Sequence, residues 1–283
     1  MRKFKRVTEG RPVENRKLVT TVYVLLRLSV VGVLVVQLWN RNFENAFLCV
    51  LTLILFMLPS AFERRLKIDL PDTLEIIILL FIYAAEILGE IQAFYVLIPN
   101  WDTWLHTLNG FLCAAIGFSL VDILNRHKKA IFSLSPLYLA VVSFCFSMTV
   151  GVMWEFFEFS MDRTLGFDMQ KDTVIQEFSS VNLDPHKSTR AVTKADIGDV
   201  ILVHSDGSQE ALGLGGYLDV GLYDTMEDLF VNFIGAAAFS VLGYLYVKSR
   251  GKGKFARRFI PTSQELEEEE ETLPPPGPPK GWS

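Results

Sequence analysis

The chain has 283 residues, of which 50% are hydrophobic and 21% charged, and its formal net charge is −5. Long stretches carry almost no charge, which excludes an ordinary water-soluble globular protein and indicates a membrane protein with several spans. We expect membrane lipid among its partners and no nucleic acid.

Six segments are long and apolar enough to cross a bilayer as helices of roughly 17–25 residues. They comprise residues 18–38, 43–62, 74–94, 101–124, 136–159 and 222–247. The first is too long and too far into the chain for a cleaved signal peptide, so we expect it to be retained. The predicted fold is an all-α bundle of six transmembrane helices, residues 18–247, preceded by a basic tail of residues 1–17.

The basic residues predict an orientation. Most of the 27 Lys and Arg residues lie beside span ends on one side of the predicted bundle. The positive-inside rule assigns that side to the cytoplasm. Both termini are then cytoplasmic, and the expected location is the cytoplasmic membrane.

Two soluble segments accompany the spans. A loop of about residues 162–221 is expected on the outer side, and its stretch "DVILVHSDGSQEAL" predicts a small β-hairpin turning at Asp206 and Gly207. The glycines of "LGLGGYLDVG" favour a flexible connection rather than a dinucleotide-binding loop. The tail of residues 248–283 is basic, then acidic, then rich in proline, so we expect it to be disordered.

Acidic residues at helical spacing mark the outer ends of four predicted spans. In "WEFFEFSMD", Glu155, Glu158 and Asp162 are three and then four residues apart, on one helix face. The other three spans carry polar side chains four residues apart: Glu86 and Glu90, then Asp102 and His106, then Asp224, Asp228 and Asn232. We expect one acidic pocket, open to the outer side. The alternative for Asp162 and Asp224 is that they cap helix ends.

Such a concentration of carboxylates predicts a cation site. Each charge costs a few kcal/mol at membrane depth and like charges repel, so the pocket must hold protons or bind cations. Oxygen ligands with one imidazole favour Mg²⁺, Mn²⁺ or Ca²⁺, and Zn²⁺ is less natural. The predicted ligands are Asp102, His106, Glu155, Glu158, Asp224 and Asp228, with Glu86, Glu90, Asp162 and Asn232 in support.

Three motifs give the chain a family resemblance. The stretches are "WDTWLHTLNG", "WEFFEFSMD" and "YDTMEDLFVNFIGA". The matching positions are Asp102, His106, Gly110, Trp154, Glu155, Asp224, Thr225, Asp228, Gly235 and Ala236. In these the chain resembles the YjdF-like family of predicted bacterial membrane proteins, and more loosely the VanZ-like membrane proteins. The resemblance implies a multi-span protein of a bacterial cell membrane and no particular reaction.

Three functions fit these observations. The first is a metal-dependent enzyme that acts on a lipid or a lipid-linked phosphate, with His106 or Glu155 as general base. The second is a cation-coupled transporter, against which stand the absence of a repeat and of a broken helix. The third is a non-catalytic scaffold or sensor with a structural metal. The sequence leaves open whether the protein is an enzyme.

Overall fold

The computed structural model describes residues 13–66, 68–126, 134–249, 258–260 and 262–263. Its helices are α1 (Val13–Trp39), α2 (Phe43–Leu55), α3 (Leu58–Leu66), α4 (Asp72–Tyr83), α5 (Phe94–Leu97), α6 (Trp101–Arg126), α7 (Pro136–Leu165) and α8 (Leu222–Lys248). The helical membrane fold predicted from the sequence is confirmed. Five helices of the described chain are long and apolar enough to cross a membrane: Lys17–Trp39, Phe43–Arg65, Trp101–Asn125, Pro136–Leu165 and Leu222–Lys248.

The predicted third span, residues 74–94, is not one regular helix. After α4 the chain forms a π-helix over Ala84–Ile91. Ala93 then adopts a left-handed conformation with φ 56°, and α5 follows as a single short turn. This interruption explains why five long helices are found where six uniform spans were predicted. A π-helix depends on local packing and is common at functional sites, so residue spacing alone does not predict it.

The chain divides into two compact units, which we describe separately. The first consists of Met1–Thr149 and Val231–Ser283, and the second of Val150–Phe230. In the first unit α6 and α8 approach so closely that a side chain on either of two glycines would meet main-chain atoms. A Cβ on Gly110 would lie 3.0 Å from the Ala236 nitrogen, and one on Gly235 would lie 2.9 Å from the Phe111 nitrogen. Small residues permit such contacts between membrane helices.

Serine hydroxyls join α7 to α6 within the first unit. Ser143 Oγ donates to the Ala114 carbonyl at 2.6 Å, and Ser147 Oγ donates to the Gly110 carbonyl at 2.7 Å. Both serines are fully buried. Their spacing of four residues matches the spacing of the two carbonyls, so one face of α7 bonds repeatedly to the backbone of α6.

Two apolar clusters form the core of the first unit. One gathers buried side chains of α1, α2, α4 and the π-helix, including Val30, Cys49 and Leu79, together with Phe56 directly after α2. The other surrounds Phe118 and Phe239, whose ring centroids are 6.1 Å apart. The second cluster brings α6 and α8 together with residues before α4 and after α8.

Part of the predicted disordered tail belongs to this core. Phe259 and Ile260 are buried, and the Phe259 ring packs edge-on against Phe111 with centroids 5.1 Å apart. Strand β8 (Thr262–Ser263) pairs antiparallel with β1 (Ile68–Asp69). The expectation of disorder from residue 248 onward is therefore wrong for these residues, because two apolar side chains fix the segment. Residues 250–257, 261 and 264–283 of the tail, and residues 1–12, lie outside the described chain.

The second unit contains residues 166–221, which we call the α7–α8 loop. It forms three antiparallel pairs: β2 (Val174–Ile175) with β7 (Tyr217–Leu218), β3 (Phe178–Ser180) with β4 (Val192–Lys194), and β5 (Ile201–Val203) with β6 (Gln209–Ala211). The predicted hairpin is β5–β6, and its turn contains Gly207 at φ 84°. The predicted flexible connection is wrong in part, because β7 is a paired strand.

Candidate functional site

A cluster of three carboxylates lies within the second unit. Glu155 and Glu158 occupy one face of α7, and Asp228 lies near the start of α8. Each offers a carboxylate oxygen, and these oxygens lie within 4.8 Å of one another. All three residues are buried, with exposed fractions of 5%, 7% and 3%. We call these residues the carboxylate cluster.

A tryptophan orients one member of the cluster. Trp154 Nε1 donates a hydrogen bond of 2.8 Å to Glu158 Oε1, across one turn of α7. The indole N–H is a donor only, so this bond directs one carboxylate oxygen toward the ring. This role of Trp154 was not predicted from the sequence, although its spacing of four residues from Glu158 is visible in "WEFFE".

The arrangement of the cluster determines what it can bind. Three negative charges buried together in a membrane protein are stable only with protons or a cation among them. Oxygens on a shell of radius about 2.4 Å around one ion are at most about 4.8 Å apart, and calcium–oxygen distances are about 2.3–2.6 Å. The spacing of the three oxygens satisfies this limit. The donor set, oxygen alone, suits a hard divalent ion.

A second pair of predicted residues lies in the first unit, at the start of α6. His106 Nε2 is 3.4 Å from Asp102 Oδ1, one helical turn away, and His106 is buried. A carboxylate beside an imidazole fixes the orientation of the ring and determines which ring nitrogen carries the proton. A histidine held in this way has the chemistry of a general base or of a metal ligand.

Two of the predicted acids bind the backbone of the α7–α8 loop. Asp162 accepts hydrogen bonds from the Met169 and Gln170 nitrogens at 2.7 and 2.9 Å. Asp224 Oδ2 accepts one from the Lys171 nitrogen at 2.8 Å. Through these contacts Asp162 and Asp224 hold the loop to the ends of α7 and α8. This role resembles the capping of helix ends, which was the alternative for these two residues.

The other supporting residues, Glu86, Glu90 and Asn232, occupy two other places in the first unit. Glu86 and Glu90 lie on the π-helix, and Glu86 is buried. Asn232 is fully buried on α8, where its Oδ1 accepts from Asn109 Nδ2 at 3.2 Å and its Nδ2 donates to Met148 Sδ at 3.6 Å. Asn232 therefore links α6, α7 and α8.

Fold and site together define a multi-pass helical membrane protein with buried carboxylates. The family described as Predicted membrane protein (DUF2238) matches residues 22–249, which include most of the first long apolar helix of the described chain and all of the other four. The chain belongs to this family, in agreement with the resemblance carried by its motifs. No curated protein and no solved structure matches the chain.

Proposed function

We propose that Glu155, Glu158 and Asp228 bind one divalent cation, and that the bound cation acts on the phosphate of a lipid or lipid-linked substrate. The observation that supports the proposal is the convergence of three buried carboxylate oxygens within 4.8 Å. Burial of acids without compensation is costly in a membrane, and a dication offsets two of the three charges.

The ligand chemistry favours Mg²⁺, Mn²⁺ or Ca²⁺. All three ions prefer oxygen ligands, whereas Zn²⁺ is usually bound through nitrogen or sulfur. Three protein oxygens leave coordination positions for water or for substrate oxygens. A cation with open positions can neutralise phosphate charge and activate a water molecule.

We infer a lipid phosphate as the substrate from the environment of the carboxylate cluster. The protein is a membrane protein, so a substrate whose apolar part dissolves in the bilayer reaches it by lateral diffusion. We further propose a bacterial cell membrane with both termini in the cytoplasm, from the family resemblance and from the distribution of Lys and Arg. In this orientation the carboxylate cluster would act on lipids of the outer leaflet.

A second candidate function, cation-coupled transport, is favoured by one observation. The sequence predicted no broken helix, but the structure interrupts the third span with the π-helix that carries Glu86. Interrupted spans and buried ionisable side chains are typical of ion pathways in transporters. In this alternative Glu86 belongs to the pathway.

Metal binding is tested on the purified full-length protein in detergent. After equilibration with Mg²⁺, Mn²⁺ or Ca²⁺, bound metal is measured by mass spectrometry for the wild type, Asp228→Asn and Glu155→Gln. Glu227→Gln is the matched control, because it removes an acid from the same turn of α8 at an exposed position. We expect about one ion per chain in the wild type and in the control. In the cluster variants the affinity for the ion should fall by about tenfold to a hundredfold.

The outcomes separate the steps of the proposal. A wild-type protein without metal, or an Asp228→Asn variant that binds as well as the wild type, would contradict the cation site. Phosphate release from phosphatidic acid in mixed micelles, measured with and without the ion, tests the enzyme. Metal binding without phosphate release, combined with ion flux in proteoliposomes that Glu86→Gln abolishes, would favour the transporter.

A further inference from the structure

We infer that a groove between α6 and α8 in the first unit binds one acyl chain of a membrane lipid. The groove has a volume of about 410 Å³, within the range of about 300–1,000 Å³ that is usual for ligand pockets. The side chains that line it include Trp101, Trp104, Leu108, Phe111, Ile234 and Ala238. It lies on a different face of α6 from His106, and it does not depend on the carboxylate cluster.

The surface of the groove is suited to an apolar occupant. The hydroxyl of Thr107, which also lines the groove, donates to the Thr103 carbonyl at 2.7 Å within α6. Its polar hydrogen is therefore already used. Gly235 deepens the groove because it brings no side chain where α8 meets α6. The remaining lining consists of aromatic and aliphatic groups, which have no polar atom to orient a polar ligand other than the two indole N–H groups.

The length of the groove distinguishes a lipid from a partner helix. Along α6 it extends from Trp101 to Phe111, which are ten residues and about 15 Å apart at 1.5 Å per residue. Half of the hydrocarbon core of a bilayer is also about 15 Å. An acyl chain occupies one leaflet, whereas a partner helix crosses both and would require a contact surface about twice as long.

The position of the groove agrees with a lipid anchored at its headgroup. Trp101 and Trp104 are at the end of α6, where tryptophan is typical of the interface between water and hydrocarbon. The Trp104 side chain is 72% exposed and forms a wall at this end. Trp101 Nε1 is buried and has no hydrogen-bond partner among the described residues. A small rotation of the indole would present this donor to the ester carbonyl of the bound chain.

Substitution of Ala238 tests the groove. Ala238 lines it and is exposed, so Ala238→Phe fills the groove without entering the core. Val241→Phe is the matched control, since Val241 is exposed on the next turn of α8 and does not line the groove. Delipidated full-length protein in detergent is titrated with dipalmitoylphosphatidylcholine, and bound lipid is counted by native mass spectrometry.

We expect one bound lipid per chain in the wild type and in Val241→Phe. Binding should be weaker by about tenfold in Ala238→Phe, which corresponds to about 1.4 kcal/mol. Trp104→Ala, which removes a wall, should also weaken binding, and the thermal midpoints of the variants verify that they are folded. Equal lipid binding by Ala238→Phe and wild type would overturn the proposal. A wild-type dimer that Ala238→Phe converts to a monomer would overturn it in favour of a second copy of the chain.

Discussion

Replacement of Gly110 by alanine tests the contact between α6 and α8 directly. The added Cβ would lie 2.9 Å from the Asn232 carbonyl carbon and 3.0 Å from the Ala236 nitrogen, and closer still to the Asn232 carbonyl oxygen. All of these are main-chain atoms, so no side-chain rotation relieves the overlap and the helices must separate. Separation also stretches the 3.2 Å hydrogen bond between the Asn109 and Asn232 side chains.

The size of the effect follows from three contributions. Overpacking of a tight interior costs about 1–3 kcal/mol. Loss of one hydrogen bond between membrane helices costs about 0.6 kcal/mol. Alanine regains about 0.5–1 kcal/mol because glycine is the poorer helix former. We therefore expect a net destabilisation of about 1–3 kcal/mol, or roughly 2–4 °C in melting midpoint for each kcal/mol.

The measurement compares thermal unfolding of the purified wild type, Gly110→Ala and Gly32→Ala in one detergent. Gly32 lies on α1, and a Cβ there would have no heavy atom within 4 Å. Gly32→Ala should leave stability unchanged or raise it by up to about 1 kcal/mol. If Gly110→Ala were as stable as Gly32→Ala, the close approach of α6 and α8 would be refuted.

Two further predictions concern the serine contacts and the α7–α8 loop. Ser147→Ala removes a hydrogen bond from α7 to α6 and should lower stability by about 0.6 kcal/mol, and by no more than about 1.7 kcal/mol. Ser160 is exposed and its hydroxyl donates within α7, so Ser160→Ala should be nearly neutral in the same unfolding assay. In the loop, partial loss of hydration and then the charges of Asp168 and Asp219 raise the pKa of Asp172. An acid whose pKa is raised in the folded state destabilises the fold above that pKa, and has no such effect below its unfolded value of about 3.9. Asp172→Asn should therefore raise the unfolding midpoint slightly at about pH 7 and leave it unchanged at about pH 3. An equal gain at both pH values would contradict this electrostatic origin.

Apolar run length was sufficient to predict most of the membrane helices. Charge-poor segments of about 20 residues have few alternatives in a membrane, because their backbone must bond internally. The exception is the third span, where Gly89 packs so closely on Tyr95 that a Cβ would overlap the ring. The π-helix there depends on such tertiary contacts, which spacing does not encode.

Part of the candidate site could also be predicted from the sequence. Helical spacing identified the face of α7 that carries Glu155 and Glu158, because their positions along one helix are fixed by its geometry. Spacing could not show that Asp162 and Asp224 bind amides of the α7–α8 loop, since those contacts depend on the path of the loop. The role of Phe259 was also missed, because a single apolar pair among charged residues is a weak signal of burial.

The burial of Phe259 and Ile260 has a consequence for assembly during synthesis. These residues follow α8, so the ribosome makes them after the five long apolar helices of the described chain have been completed. Until then Ile68 and Leu70, which share their apolar cluster, lack part of their final cover. The first unit is also discontinuous, since its second segment begins only at Val231. Chains released early would therefore carry these five long apolar helices and still expose an unfinished core, the kind of surface that quality-control proteases and chaperones recognise.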